Sequence, residues 1–220
     1  MLKLDFVRSF ILQLQNKRMV DVKFWGPSGW KLFHTLTLEE GRYNEKHELF
    51  SVFQDVLPCK YCRKSTKKFV REEPPSGNLA VWLYKLHDKV NKKLENQHLQ
   101  DPTIPLPIPS PSFEEVVRTY KNEIKDPKLG WDFLYSVALN FDPKIHNKNS
   151  HYRFWNSLNK VYPKQLGIPR FTNRKQYFSD VHHFLKDAES LESVYERICL
   201  HKSKCVKKTC RKTRRKSKQF

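Results

Sequence analysis

Four consecutive residues, Cys59-Lys60-Tyr61-Cys62, carry the most specific chemistry in this 220-residue chain. Two thiols separated by two residues can close into a reactive disulfide. Pro58 precedes them and suits the first position of a helix. A helix N-terminus favours a thiolate, and Arg63 adds positive charge beside it. The same pair would also serve as half of a zinc site. The other half is remote, because the next cysteine is Cys199.

Two further patterns place polar rings on apolar helix faces. Trp30 and His34 are four residues apart and share one face of a helix, as do His87 and Asn91. An indole with an imidazole suits a flat heterocycle, and the plain alternative is core packing. His87 and Asn91 lie beside Val90 and Leu94, with Lys92 and Lys93 adjacent. Polar groups on such a face need partners, and a lysine beside them suits a phosphate. A third cluster, Cys199-x-His201-x3-Cys205-x4-Cys210, supports two readings by its residues alone: four zinc ligands, or free thiols.

The elements that must position these groups are helices. Apolar residues recur at helical spacing over 28–40, 45–56, 59–70 and 78–96. A proline-rich stretch, 101–111, contains five prolines and excludes helix and central strand. Ser112 and Glu115 have the spacing of a capping box and open a short fifth helix reaching about 124. Further helices are expected over 129–140, 152–161, 175–186 and 191–200. The expected architecture is all-α: a four-helix bundle with a short fifth helix over 21–126, a smaller helical module over 127–200, an extension over 1–20 and a basic tail over 201–220.

Composition limits the alternatives. The net charge is +19, and residues 201–220 supply about half of it, with ten Lys/Arg and no acid. Such a tail attracts nucleic acid or acidic surfaces nonspecifically. Six glycines leave no dinucleotide-binding fingerprint of the Rossmann type. No apolar run approaches a membrane span. The first eighteen residues form an amphipathic stretch interrupted by charge, which reads as a surface helix rather than a signal peptide. An odd cysteine count, five, argues against a disulfide-stapled scaffold. Cytoplasmic residence is expected, ahead of the mitochondrial intermembrane space.

Taken in order, W-x4-W-x3-H, CxxC and H-x2-V-N-x2-L over 24–125 resemble the Erv/ALR family of FAD-linked sulfhydryl oxidases, with particular similarity to versions carried by nucleo-cytoplasmic large DNA viruses. The resemblance implies a helical bundle holding FAD at one end. Gly26, Trp30, His34, Cys62, His87, Val90, Asn91, Lys93, Leu94 and Tyr120 would contact the cofactor. Cys59 would meet protein thiol substrates and Cys62 would face the flavin, with O₂ as final acceptor and H₂O₂ as product. Cys205 and Cys210 would be the shuttle pair. In a viral setting the substrates would be virion proteins in the host cytoplasm, and 127–200 would dimerise or dock substrates.

Two departures stand out. The family usually reads His-Asn where this chain has His87-Asp88, and many members have a second disulfide where this chain has no cysteine between Cys62 and Cys199. The proline-rich stretch is the candidate substitute for the stiffness lost. The rival class is a non-enzymatic, basic zinc- or nucleic-acid-binding protein. It explains the charge and the terminal cysteines but gives the Trp30/His34 and His87/Asn91 pairs no role.

Overall fold

The computed structural model of the chain describes residues 20–185 and 190–202. Every regular element among them is a helix: α1 (Val22–Leu38), α2 (Tyr43–Val56), α3 (Lys60–Glu72), α4 (Leu79–Gln100), α5 (Phe113–Tyr120), a 3₁₀ turn (Glu123–Lys125), α6 (Trp131–Leu139), α7 (Lys148–Val161), α8 (Arg174–Leu185) and α9 (Leu191–Lys202). The expected surface helix over the first eighteen residues lies outside the described residues.

Local chemistry sets most of the boundaries. Asn78 caps α4 by accepting from the Ala80 and Val81 amides, and Asn147 caps α7 in the same manner. Ser112 and Glu115 form the expected capping box of α5. Helix α1 begins earlier than its apolar period suggests. Asp21 caps it by accepting from the Lys23 amide, and Pro27 is carried inside it. Pro27 lacks an N–H, so it leaves only the Lys23 carbonyl without its helical partner.

Helices α1–α4 form the bundle, and α6–α9 lie against it. The core is one continuous cluster across both halves. Phe33 of α1 meets Phe50 and Phe53 of α2 and Phe133 of α6, all in edge-to-face geometry at 5.1–5.8 Å. Close approach of α6 to α1 depends on two glycines. A Cβ on Gly29 would stand 3.0 Å from the Phe133 ring. Gly130 caps α6 at φ +76°, and a Cβ there would meet Leu32 at 2.7 Å. Helix α7 covers α2, pinned by the Arg153–Glu48 pair and by Ser150 donating to Asp55 at 2.9 Å. The 127–200 region is therefore joined to the bundle through a shared core.

The proline-rich stretch runs without regular structure along α4. Tyr84 Oη donates to the Pro111 carbonyl at 3.1 Å, Asn91 Nδ2 donates to Ser110 Oγ at 3.0 Å, and the His98 ring bonds the Ile104 carbonyl. These contacts strap residues 104–111 to about four turns of the helix.

Candidate active site

Cys59 is the N-cap of α3 and Cys62 lies in its first turn. Both are thiols and half-buried. The Cys62 amide donates to Cys59 Sγ at 3.3 Å. A hydrogen bond from the Cys62 thiol lowers the Cys59 pKa to about 6, opposed by burial and helped by the Cys62 and Tyr61 amides and by Arg63. The same bond, burial and the Cys59 charge hold Cys62 far above the ordinary thiol range, while Lys93 and Arg63 pull it down. In the dithiol state the negative charge therefore sits on Cys59. Arg63 also closes the loop before α3, donating to the Leu57 and Pro58 carbonyls at 2.5 and 3.3 Å.

A ring cluster forms between α1, α4 and α5. Trp30 lies flat on His87 with centroids 3.7 Å apart and planes at 12°. His34 Nε2 and His87 Nδ1 are 3.1 Å apart, within hydrogen-bonding reach. Tyr120 is parallel to His34 at 5.3 Å. Burial lowers the His34 pKa to about 3 and the His87 pKa to about 4, so both rings are neutral at pH 7 and one donates to the other. Because Trp30 and His87 are in contact, no ring fits between them. The cluster is a wall against which a flat group can lie. Its far edge is fixed by Lys31, paired with Glu123 at 2.6 Å and Asp126 at 2.7 Å, which holds the turn after Tyr120 against α1.

Lys93 connects this helix to the cysteines. Its Nζ donates to Ser65 Oγ at 3.1 Å, across from α4 to α3, and its charge acts on Cys62. A groove between the two helices continues past it, lined by Ser65, Lys68, Phe69, Lys89, Lys92 and Lys93.

The remaining sequence candidates are placed as follows. Gly26 is buried in α1, and a Cβ there would find only Val22 at 3.7 Å, an ordinary contact. Val90 and Leu94 are half-buried on α4. Asn91 bonds Ser110 of the strap. Asp88 pairs with Lys92 at 2.7 Å and bonds Ser110, so it serves the strap. Cys199 and His201 lie on α9 with side chains outside the described residues, as are Cys205 and Cys210. Among the described residues no group of His, Cys, Asp and Glu could hold a metal. Three contributors escaped the sequence reading: the Arg63 clamp on the Cys59 loop, the Lys31 tether and Ser110. Each is defined by a partner that helical spacing does not reveal.

Comparison with known proteins shows what this region is similar to. Residues 27–106 match the Erv1 / Alr family. The match makes this segment similar to Erv1 / Alr proteins and covers less than half of the chain. The mitochondrial FAD-linked sulfhydryl oxidase ERV1 of Saccharomyces cerevisiae is 31% identical over 84 residues, covering 34% of this chain and 44% of that protein. Sulfhydryl oxidase 1 of Rattus norvegicus is 26% identical over 128 residues, covering 51% of this chain and 16% of that protein. The chain thus spans less than half the length of either relative. No solved structure matches it. The matched segment includes the CxxC, Trp30, His34 and the His87–Leu94 stretch, and Tyr120 lies beyond its end.

Proposed function

We propose that the protein is an FAD-dependent sulfhydryl oxidase that forms disulfides in protein substrates and reduces O₂ to H₂O₂. The observation that carries this reading is the CxxC at the start of α3, with an acidified Cys59 and with the Lys93 charge acting on Cys62, inside a segment that matches the Erv1 / Alr family.

The donor set fits a flavin dinucleotide. Trp30, His34, His87 and Tyr120 offer an aromatic wall with neutral nitrogens, and Gly26 leaves room on α1. Val90, Asn91 and Leu94 belong to the same α4 face in this proposal, and Lys93 with Ser65 suits the phosphates. FAD bound there would take two electrons from the dithiol and deliver them to O₂.

The protein's own residues perform the exchange. A substrate thiolate attacks Cys59 Sγ of the Cys59–Cys62 disulfide. The bond between the cysteines breaks, a mixed disulfide forms, and Cys62 leaves as a thiolate. The hydrogen bond and charge that held its pKa up came from a Cys59 sulfur now tied to substrate. Lys93 and Arg63 remain, so the Cys62 anion is stabilised when it must form. A second substrate thiolate attacks the substrate sulfur, and Cys59 departs as a thiolate supported by the Tyr61 and Cys62 amides. The balance is two thiols and O₂ converted to one disulfide and H₂O₂.

Finer parts of the proposal rest on sequence. A virion-protein role in the host cytoplasm draws on the viral resemblance. Attraction of nucleic acid to 201–220 draws on that tail's ten basic residues. Homodimerisation and a Cys205/Cys210 shuttle belong with them. No helix among the described residues is long and apolar enough to cross a membrane.

The test is O₂ consumption with dithiothreitol by the purified yellow protein. Turnover is expected in the wild type and lost in Cys59→Ser and in Cys62→Ser. A colourless protein, or retained turnover in either variant, overturns the proposal.

A further inference from the structure

The outward face of α3 carries a positive stripe, only partly paired with carboxylates, that begins at the reactive cysteine. The helix holds six Lys/Arg and one Glu in 13 residues. Lys60, Lys64, Lys67, Lys68 and Arg71 recur at helical spacing, and all are exposed. Lys67 pairs with Asp55 at 2.6 Å, and Lys68 lies 3.8 Å from Glu72. Among the described residues, no carboxylate pairs with Lys60, Lys64 or Arg71. Tyr61, 55% exposed beside Cys59, adds an apolar plate at the same end.

We propose that this stripe is a docking surface for polypeptides carrying acidic residues beside the cysteine to be oxidised, an assignment that rests on the oxidase reading and names its preferred substrate class. The geometry favours a peptide over other polyanions because one end of the stripe is a cysteine sulfur. A ligand laid along α3 is productive only if it presents a thiol at Cys59. The helix is about 20 Å long, the reach of about six extended residues. The selected acids therefore lie within about six positions of the substrate cysteine on one side. Cations along this path raise encounter rates with such a segment and give the reaction a strong salt dependence.

The test compares two dithiol peptides of equal length, one with flanking glutamates and one with flanking lysines, with dithiothreitol as an uncharged control. With the full chain in low salt, kcat/KM for the acidic peptide is expected about tenfold above that for the basic one. The gap should close in ~0.5 M salt. The double variant K64E/R71E is expected to erase the preference while dithiothreitol turnover stays within about twofold of wild type. Equal kcat/KM for the two peptides with dithiothreitol turnover intact overturns the docking surface, as does a preference that survives in K64E/R71E. If a DNA duplex binds the wild type and not K64E/R71E while the peptides remain equal, the stripe is a nucleic-acid surface and the proposal falls. Absence of dithiothreitol turnover removes the oxidase reading instead. Fluorescence anisotropy with serine versions of the peptides then decides the surface alone, an acidic-over-basic preference supporting it and equal binding ending it.

Discussion

At the scale of residues, the candidate site distributes charge unequally between two sulfurs. Cys59 ionises easily because Cys62 donates to it, and Cys62 resists ionisation for the same reason. This reciprocity has a measurable consequence. Alkylation of the reduced wild type by iodoacetamide should follow a Cys59 ionisation at about 6. In Cys62→Ala the curve should move up toward the ordinary thiol range, because the largest stabilising contact is gone while the Tyr61 amide and Arg63 remain. A curve that does not move would assign the acidity to the helix terminus alone. The residues proposed to carry the chemistry stood out in the sequence because types and spacing define them: CxxC, Trp30 with His34, and His87. Arg63 was visible as a charge but not as the clamp on Leu57 and Pro58, because a fold over the chain's own carbonyls has no sequence pattern.

At the scale of elements, capping and apolar period located the helices well. The ends of α2, α4 and α5 were legible in Val56, Asn78 and Ser112. The start of α1 was not, because Pro27 reads as a boundary and is instead tolerated inside a helix capped by Asp21. How α6 reaches α1 was equally hidden, since it depends on missing side chains at Gly29 and Gly130. Gly130→Ala should therefore be severe. Its Cβ would combine a left-handed backbone with a 2.7 Å approach to Leu32. A loss of about 2–4 kcal/mol is expected from chemical denaturation, combining αL strain with overpacking. By contrast Gly77→Ala has the same sign of φ and open space around it, so only the backbone cost of about 1–2 kcal/mol applies. Equal effects at the two sites would refute the packing argument.

At the scale of the whole molecule, four buried or half-buried imidazoles tie stability to pH. Burial lowers His34 and His151 to about 3 and His87 and His146 to about 4. His151 is the clearest case. Trp155 Nε1 donates to Tyr177 Oη, and that hydroxyl lies 3.1 Å from His151 Nδ1, which leaves the buried Nε2 without a partner. A depressed folded pKa stabilises the native state above the unfolded value of about 6.5 and loses that stabilisation as pH falls toward 4. Each neutral imidazole contributes a slope of roughly 1.4 kcal/mol per pH unit in that window. Urea midpoints should be flat from pH 8 to 7 and fall steeply from 6.5 to 4. A flat profile across the acid range would show that these rings are solvated. Because the core runs through both halves, a fragment ending at residue 126 should lack a cooperative thermal transition. A sharp transition in that fragment would show that the bundle is complete without α6 and α7.

The docking of α7 on α2 also bears on how the chain is made. Arg153 meets Glu48 across 105 positions, and Ser150 meets Asp55 across 95. Translation proceeds at roughly 5–20 residues per second, so on the order of 5–20 s pass between synthesis of α2 and arrival of the helix that covers it. Throughout that interval the CxxC thiols have been synthesised and the α2 face that α7 will cover is bare. Nascent chains of this protein are therefore expected to occupy ribosome-proximal chaperones until residue 161 has emerged.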